Sequence, residues 1–277
     1  MDENGRGYNL KAPGPPGSGS SFRLPGRGSF PGVDDHLVEP EVTRDEIVGS
    51  HRIVASPAQP PHADQHSELD FILRALVAPG YRAAVDLLTR HDQESDFASD
   101  ACVRKEGLDP STGMRYLEEI AFEVVSEQNE GWLTEKARRM HRRGVRRIFT
   151  IWVKTQKICE WSSENGGWLA LEPSSQIEDS CLVMPLTVAA LHDAAQADFA
   201  VIAAMAAKGT PALLEREAMA EARGIATSIL QVLGTRGFAI SDAQQQEILT
   251  CRDLDRLRRW LDRALLNSSA EDLTSAS

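Results

Sequence analysis

The order of apolar segments between residues 39 and 195 constrains the fold more than any other feature of this chain. Residues 62–80 have apolar side chains at the spacing of an amphipathic helix. Short strand-like segments follow, then a second helical pattern that ends at Gly144, then further strands. Strands and helices that alternate in this way predict an α/β or α+β fold, with a sheet flanked by helices.

Turn residues divide these segments into individual strands. Gly49–Ser50 separates two short segments, and residues 154–156 join two strands tightly. The segment YRAAVDLLTRH is ambiguous, because its apolar residues fit a helix and a strand equally well. The shorter segments FASDACV and EVVS are predicted to be strands.

Two flanking regions differ in composition from the central one. Residues 1–38 are rich in Gly, Pro and Ser and cannot bury enough apolar surface to offset their ordering entropy, so we predict a disordered tail. Residues 196–277 are predicted to form a helical appendage, interrupted near Gly209–Pro211, with Ser241 and Asp242 as helix caps. The apolar residues of this appendage suggest docking or formation of a homo-oligomer.

Composition excludes several classes of protein. Apolar residues make up 42% of the chain, which is enough for a core, yet none of its apolar runs approaches the roughly 18 residues that suggest a membrane span. The N-terminal region lacks an apolar signal core, so secretion is not expected. The four cysteines are far apart and form no CxxC pair, which argues against a zinc or disulfide framework and favours a cytoplasmic location.

The formal net charge of −11 argues against a general nucleic-acid coat protein. Residues 135–147, EKARRMHRRGVRR, are nevertheless strongly basic, and we call them the basic strip. A local basic strip on an acidic protein suits one docked polyanion. The simpler interpretation, a solvated helix face, remains open.

Three residues suggest hydrolytic chemistry. Asp100 and Glu123 lie on segments predicted to be neighbouring strands, and Lys136 lies at the edge of the apolar face of the following helix. Two carboxylates with a lysine close by can hold a divalent cation and support an attacking water, as phosphodiester hydrolysis requires. The alternatives are a turn hydrogen bond for Asp100, a salt bridge from Glu123 to an arginine, and a lysine that snorkels to solvent.

Further acids and histidines are candidate metal ligands. Glu119 shares strand parity with Glu123 and is a candidate second metal contact, although a solvated side chain is the simpler expectation. His62 and His66 have the i,i+4 spacing that binds zinc on a helix. Because the sequence shows no third ligand near them, the polar start of a helix is the preferred interpretation.

Four segments together resemble a known family. They are EIVGSHRIVASPAQPPHADQHSEL, SDACV, RYLEEIAFEVVS and EKARRMHRRGVRRIFTIWV, and they resemble the Uma-type restriction endonuclease family of the PD-(D/E)XK nuclease superfamily. The resemblance covers roughly residues 40–195. It implies a PD-(D/E)XK nuclease-like mixed sheet flanked by helices, magnesium-dependent phosphodiester cleavage, and DNA as the substrate class.

The resemblance also implies roles for individual residues. Asp100 corresponds to the motif aspartate and Glu123 to the acid of the second motif. Glu46 resembles the acid that opens the family domain, and Lys136 resembles the lysine that some members carry on the following helix. The chain departs from the superfamily pattern at two positions.

Ser99 replaces the proline before the motif aspartate, and Val125 replaces the lysine two residues after the acid. The second departure means that water must be activated by Lys136 or by the metal alone.

These observations lead to a first hypothesis and two rivals. The first is a nuclease that binds Mg²⁺ or Mn²⁺ through Asp100 and Glu123, with Arg139 and Arg143 contacting DNA phosphates. The second is a catalytically inactive nuclease-fold module that binds nucleic acid or protein through its helical tail. The third is an α/β domain whose acids are salt-bridged to the basic strip.

Overall fold

The computed structural model describes residues 30–37, 45–54, 60–126 and 130–266. The chain forms two compact units, Met1–Ala204 and Met205–Ser277. The boundary falls after Ala204, whereas the sequence predicted it after residue 195. Among the described helices, none alone is long and apolar enough to cross a membrane, although Ala194–Ala207 and Pro211–Thr235 pass that test when combined as a broken pair.

The first unit is built on one eight-stranded mixed sheet. Its strands are β1 (Asp45–Val48), β2 (His51–Val54), β3 (Tyr81–Asp92), β4 (Ser95–Lys105), β5 (Glu118–Val125), β6 (Arg147–Trp152), β7 (Lys157–Ser162) and β8 (Gly167–Ala170). They follow the order β2-β1-β4-β5-β6-β7-β8, and β3 pairs with β4. Strands β5 and β6 run parallel, and the other pairs are antiparallel. A second, two-stranded sheet pairs β9 (Gln176–Ile177) with β10 (Leu186–Thr187).

Helices cover both faces of the large sheet. Helix α1 (Pro60–Leu76) packs in one core cluster with Phe122 and Val124 of β5. Helix α2 (Glu130–Arg143) packs in another cluster with Ala121 of the same strand. Because neighbouring residues of a strand point to opposite faces, α1 and α2 lie on opposite sides of the sheet. The predicted sheet with flanking helices is therefore confirmed. A short 3-10 helix (Val188–Leu191) and α3 (Ala194–Ala207) complete the α1 side.

The predicted turns lie where left-handed backbone is required. Gly49 and Ser50 have φ angles of 57° and 63° and close the hairpin between β1 and β2. Helix α2 ends just before Gly144, whose φ of 122° suits glycine. The ambiguous segment YRAAVDLLTRH is a strand, β3, because it pairs with β4 along almost its whole length.

Residues 30–37 correct the predicted tail. The backbone N–H of Arg90 donates to the carbonyl of Val33 over 2.9 Å, and the N–H of Leu37 donates to Asp96 Oδ2 over 2.7 Å. Val33 is buried. The disordered tail predicted for residues 1–38 is therefore too long at its C-terminal end, and residues 1–29 lie outside the described part of the chain.

The second unit is helical, as its sequence predicted. It contains α4 (Pro211–Thr235), α5 (Asp242–Thr250) and α6 (Leu254–Leu266). Its own core includes Ile229, Leu257 and Trp260. Ser241 is the N-cap of α5 and forms a reciprocal capping box with Gln244, as the sequence suggested for this position.

Candidate metal and active site

The candidate site lies at a fork in the sheet, where β4 changes partners. Strand β1 pairs with β4 at Asp96, and β5 pairs with β4 from Ala101 onward. Between these pairings, side chains complete the hydrogen bonds of Ala98. Its N–H donates to Glu46 Oε1 over 3.1 Å, and its carbonyl accepts from Lys136 Nζ over 3.1 Å. The fork therefore draws one acid of β1 and the lysine of α2 to the same stretch of β4.

On the α2 side of the fork, Lys136 contacts residues of three strands. Its ammonium lies 2.8 Å from Glu123 Oε2 and 3.4 Å from Glu46 Oε1, and 5.1 Å from the ring centroid of Phe97. The side chains of Lys136 and Glu123 are 12% and 3% exposed, so this contact is buried, and it is an ion pair at any pH that ionises Glu123. The sequence offered a salt bridge from Glu123 to an arginine as an alternative to metal binding. In the structure, the partner of Glu123 is Lys136.

The charges at the fork are unbalanced. Burial raises the pKa of Glu123 to about 8; Lys136 opposes this rise, and Asp100 and Glu46 reinforce it. Burial lowers the pKa of Lys136, but the three carboxylates outweigh it, and the net pKa is raised above the ordinary value. Glu123 Oε1 is buried and has no hydrogen-bond partner among the described residues. A bound cation would compensate both the excess negative charge and this unpaired oxygen.

Asp100 uses its two oxygens in different directions. Its Oδ2 accepts a hydrogen bond of 2.5 Å from the backbone N–H of Val124, and its Oδ1 lies 3.3 Å from His66 Nε2 of α1. Burial raises the pKa of Asp100, but contact with His66, the charge of Lys136 and the Val124 N–H together lower it below its ordinary value. Asp100 is therefore a carboxylate held in a fixed orientation between β5 and α1.

The structure brings two histidines to Asp100. One ring nitrogen of His62, one of His66 and one carboxylate oxygen of Asp100 all lie within 4.8 Å of one another. Among the described residues, these three form a group of at least three His, Cys, Asp or Glu side chains whose ligand atoms lie close enough together to hold a metal ion. The two histidines do lie at the polar start of a helix, since α1 begins at Pro60, and the fold adds a third potential ligand from β4 that the sequence did not show.

The pKa values of the two rings shift in opposite directions. Burial lowers the pKa of His62, against the opposing charge of Asp100. Contact with Asp100 raises the pKa of His66. His62 is consequently the more readily neutral of the two imidazoles, and neutral imidazole is the form that binds metals.

The register of β4 and β5 brings the predicted metal pair together. Ala101 pairs with Phe122, so Asp100 and Glu123 occupy the next positions along the two strands. Glu119, considered as a second metal contact, instead forms ion pairs with Lys105 and Arg146 outside the fork. Its assignment as a metal contact is not supported by this geometry.

The two departures from the superfamily pattern are both inside the protein. Val125, at the usual lysine position, is 1% exposed and belongs to the core. Ser99 is also buried. The only lysine that the described structure brings to Glu123 is Lys136, from α2.

The two arginines predicted to contact DNA have partners within the protein. Arg139 donates to Asp92 Oδ2 over 2.7 Å and to Glu135 Oε1 over 2.8 Å. Arg143 is buried and donates to the carbonyl of Pro31 over 2.9 Å. Contact of these arginines with phosphates stays a prediction, and it would compete with the contacts present here.

The rest of the basic strip is also engaged in ion pairs. Arg146 contacts Asp179 over 2.9 Å, and Arg147 contacts Glu160 over 2.6 Å. Arg138 and Arg142 are the more exposed arginines of α2, at 58% and 59%. The arginines of the strip are therefore in large part paired with acids of the same chain, and most of these acids lie outside the candidate site.

Comparison with known proteins finds a structural neighbour but no matching family model. No family model matches the chain, and no curated protein matches it. Among solved structures, it is similar to a protein from Anabaena variabilis ATCC 29413 described as a "putative nuclease belonging to DUF820". The two share 16% identity and a TM-score of 0.45, over 53% of this chain and 88% of the other.

Proposed function

We propose that this chain is a metal-dependent nuclease that hydrolyses phosphodiester bonds of DNA. The observation that carries the proposal is the convergence of Glu46, Glu123 and Lys136 at the fork beside Asp100. Burying a charged group reduces stability unless an opposite charge, a hydrogen bond or a metal ion compensates it. Such clusters are found preferentially at functional sites.

The residues present fit a divalent cation. We assign Asp100 and Glu123 as ligands of Mg²⁺ or Mn²⁺, because oxygen ligands suit these ions and Glu123 Oε1 is buried without a partner. When bound, such an ion lowers the pKa of its water and neutralises phosphate charge.

The remaining groups position the attacking water and stabilise charge on the phosphate. Lys136 supplies a fixed positive charge for the attacking water or for charge that develops on the phosphate. Glu46 and the carbonyl of Ala98 hold its ammonium in place. This arrangement makes the helix lysine a substitute for the lysine that Val125 replaces.

A cleavage assay tests the proposal. Supercoiled plasmid and single-stranded DNA are incubated with Mg²⁺ or Mn²⁺ and with wild type, Asp100→Asn, Glu123→Gln or Lys136→Met. We expect metal-dependent cleavage by wild type and a loss of about 100-fold or more in each variant. Glu164→Gln, in an exposed turn, is the matched control and should cleave as wild type does.

A well-folded wild type that cleaves neither substrate with either metal would contradict the proposal. It would favour a second function, a catalytically inactive nuclease-fold module that binds nucleic acid or protein through its helical tail. One observation favours that alternative: Lys136 is already held by two carboxylates. Metal dependence separates the two functions, because an adaptor has no need of the ion.

A further inference from the structure

We propose that His62 and His66 of α1, together with Asp100 of β4, form a binding site for a first-row transition-metal ion such as Zn²⁺. The ligand set differs from the Asp100–Glu123 pair assigned above, although Asp100 belongs to both. Binding at this site does not require that the protein cleave DNA, so the inference stands apart from the proposed function.

The helix sets the positions of the two rings. Residues four apart lie one above the other on a helix face, and the ring centroids of His62 and His66 are 4.8 Å apart. Helix α1 is anchored to the sheet by buried residues that include Leu69, Ile72 and Leu73. The two rings are therefore held at a fixed place over β4.

One ring nitrogen of His62 points to a missing partner. His62 Nδ1 is buried and has no hydrogen-bond partner among the described residues, whereas the buried His66 Nε2 lies 3.3 Å from Asp100 Oδ1. Burying a nitrogen without a partner reduces stability. A metal ion between the rings and Asp100 would give His62 that partner and would join it to the existing contact between His66 and Asp100.

Asp100 is oriented for this role. The Val124 N–H fixes Oδ2, which leaves Oδ1 turned toward His66 at 3.3 Å. Hydrogen bonds of this kind to the second oxygen orient a ligating carboxylate and tune its affinity. The carboxylate therefore needs little rearrangement to bind an ion that lies between it and the imidazoles.

A second carboxylate lies on the next strand. Val85 pairs with Ala101 and Leu87 with Ser99, which places Asp86 opposite Asp100. Asp86 is exposed and has a φ of 49°, so the ladder is irregular here. This exposed acid adds negative charge beside the three ligands on the side that solvent reaches.

The donor set selects the class of metal. Imidazole nitrogen suits Zn²⁺, Co²⁺ and Ni²⁺, whereas Mg²⁺ prefers a shell of oxygen. Three protein ligands also leave a coordination position open, as in catalytic zinc sites. The geometry thus points to an ion that can bind water or a small anionic ligand as well.

Cobalt titration tests the site without any activity assay. After chelator treatment, Co²⁺ is titrated into the full chain and the visible ligand-field absorption is recorded, followed by competition with Zn²⁺ and Mg²⁺. We expect one Co²⁺ per chain, displaced by equimolar Zn²⁺ and not by a large excess of Mg²⁺. His62→Ala, His66→Ala and Asp100→Asn should each weaken binding by more than about 100-fold.

One variant is the control. His141→Ala removes an exposed histidine of α2 and should leave the titration unchanged. If His66→Ala fails to fold by near-ultraviolet circular dichroism, His62→Ala decides, since the proposal requires both histidines.

Three results would overturn the proposal. They are the absence of Co²⁺ binding by folded wild type, binding that His62→Ala leaves intact, and binding that is lost in Glu123→Gln but kept in both histidine variants. The last result would place the ion on Asp100 and Glu123 alone. Failure of DNA cleavage, by contrast, has no bearing on any of these measurements.

Discussion

At the scale of single residues, the fork brings more acids than bases into a buried place. Glu46 and Glu123 both contact the ammonium of Lys136, and the charge of Asp100 acts on the same group. A single lysine cannot neutralise three carboxylates. The stability of the metal-free protein should therefore depend on the protonation of the most deeply buried acid, Glu123.

The pH dependence of unfolding tests this expectation. Burial raises the pKa of Glu123 to about 8 from an ordinary value of 4.5, so between these pH values the folded state retains a proton that the unfolded state loses. The free energy of unfolding of wild type should fall as pH rises from about 4.5 to 8. Position 123 cannot titrate in Glu123→Gln. Over the same pH interval, this variant should therefore lose less unfolding free energy than wild type, by about 1 kcal/mol or more.

Denaturant unfolding at several pH values, with a chelator present, makes this measurement. Glu164→Gln is the control, because it removes an exposed acid with the same substitution. The slope is compared rather than the absolute stability, since Glu123→Gln also breaks the ion pair with Lys136. Equal slopes for wild type and Glu123→Gln would contradict a raised pKa for Glu123.

At the scale of elements, local patterns predicted most of the first unit. The spacing of Leu69, Ile72 and Leu73 defined α1, and Gly144 marked the end of α2. Strand β3 remained ambiguous because its assignment depends on pairing with β4, which is not encoded within the segment itself. Asp100 and Glu123 were correctly placed on neighbouring strands, since β4 pairs with β5.

Contacts between distant segments could not be predicted in this way. The spacing of His62 and His66 was visible in the sequence, but their third potential ligand, Asp100, lies on another element. Arg139 was predicted to share a side of α2 with Lys136. Its partner Asp92, at the end of β3, reaches it only through the fold. The sequence therefore identified the residue types and their helix faces but not their partners.

The hairpin between β1 and β2 allows a prediction at this scale. A Cβ atom at Gly49 would lie 2.7 Å from Arg139 Nη2, and the φ of Gly49 is 57°. Gly49→Ala should destabilise the protein through backbone strain of about 1–2 kcal/mol and, in addition, by displacing Arg139 from its ion pairs.

Gly166→Ala is the matched control for that prediction. Gly166 has a similar φ of 59°, and a Cβ atom there would meet nothing within 4 Å. The difference in the free energy of unfolding between the two variants isolates the effect of displacing Arg139, and we expect about 1 kcal/mol. The same loss in both variants would show that Arg139 moves aside at no cost.

At the scale of the whole molecule, the chain has separate cores. The sheet unit buries residues such as Phe122 and Val124, and the helical unit buries Leu257 and Trp260 in a cluster of its own. Separate cores allow one unit to open while the other stays folded. The two units should therefore respond separately to core substitutions.

A pair of leucines on α6 tests this separation. Leu257 is fully buried and Leu265 is 54% exposed. Leu257→Ala should cost about 2–5 kcal/mol and speed amide hydrogen exchange in α4 and α6, while exchange in β4 and β5 stays as in wild type. Leu265→Ala, the same substitution on the same helix, should change stability by less than about 0.5 kcal/mol.

Hydrogen exchange followed by mass spectrometry gives both results in one experiment. The free energy of opening could instead fall by the same amount in β4, β5 and α4 of Leu257→Ala. That result would show that the chain unfolds as one cooperative unit.

The ion pair between Glu123 and Lys136 joins a strand to a helix, and this has a consequence for sequence divergence. Two residues on one strand keep a nearly fixed spacing, because the insertion of a single residue between them turns the second one to the other side of the sheet. A pair divided between β5 and α2 tolerates insertions and deletions in the connection, provided that α2 still rests on the sheet with the same face. Related chains could thus preserve the pair while its spacing drifts, and a search pattern of fixed length would overlook them.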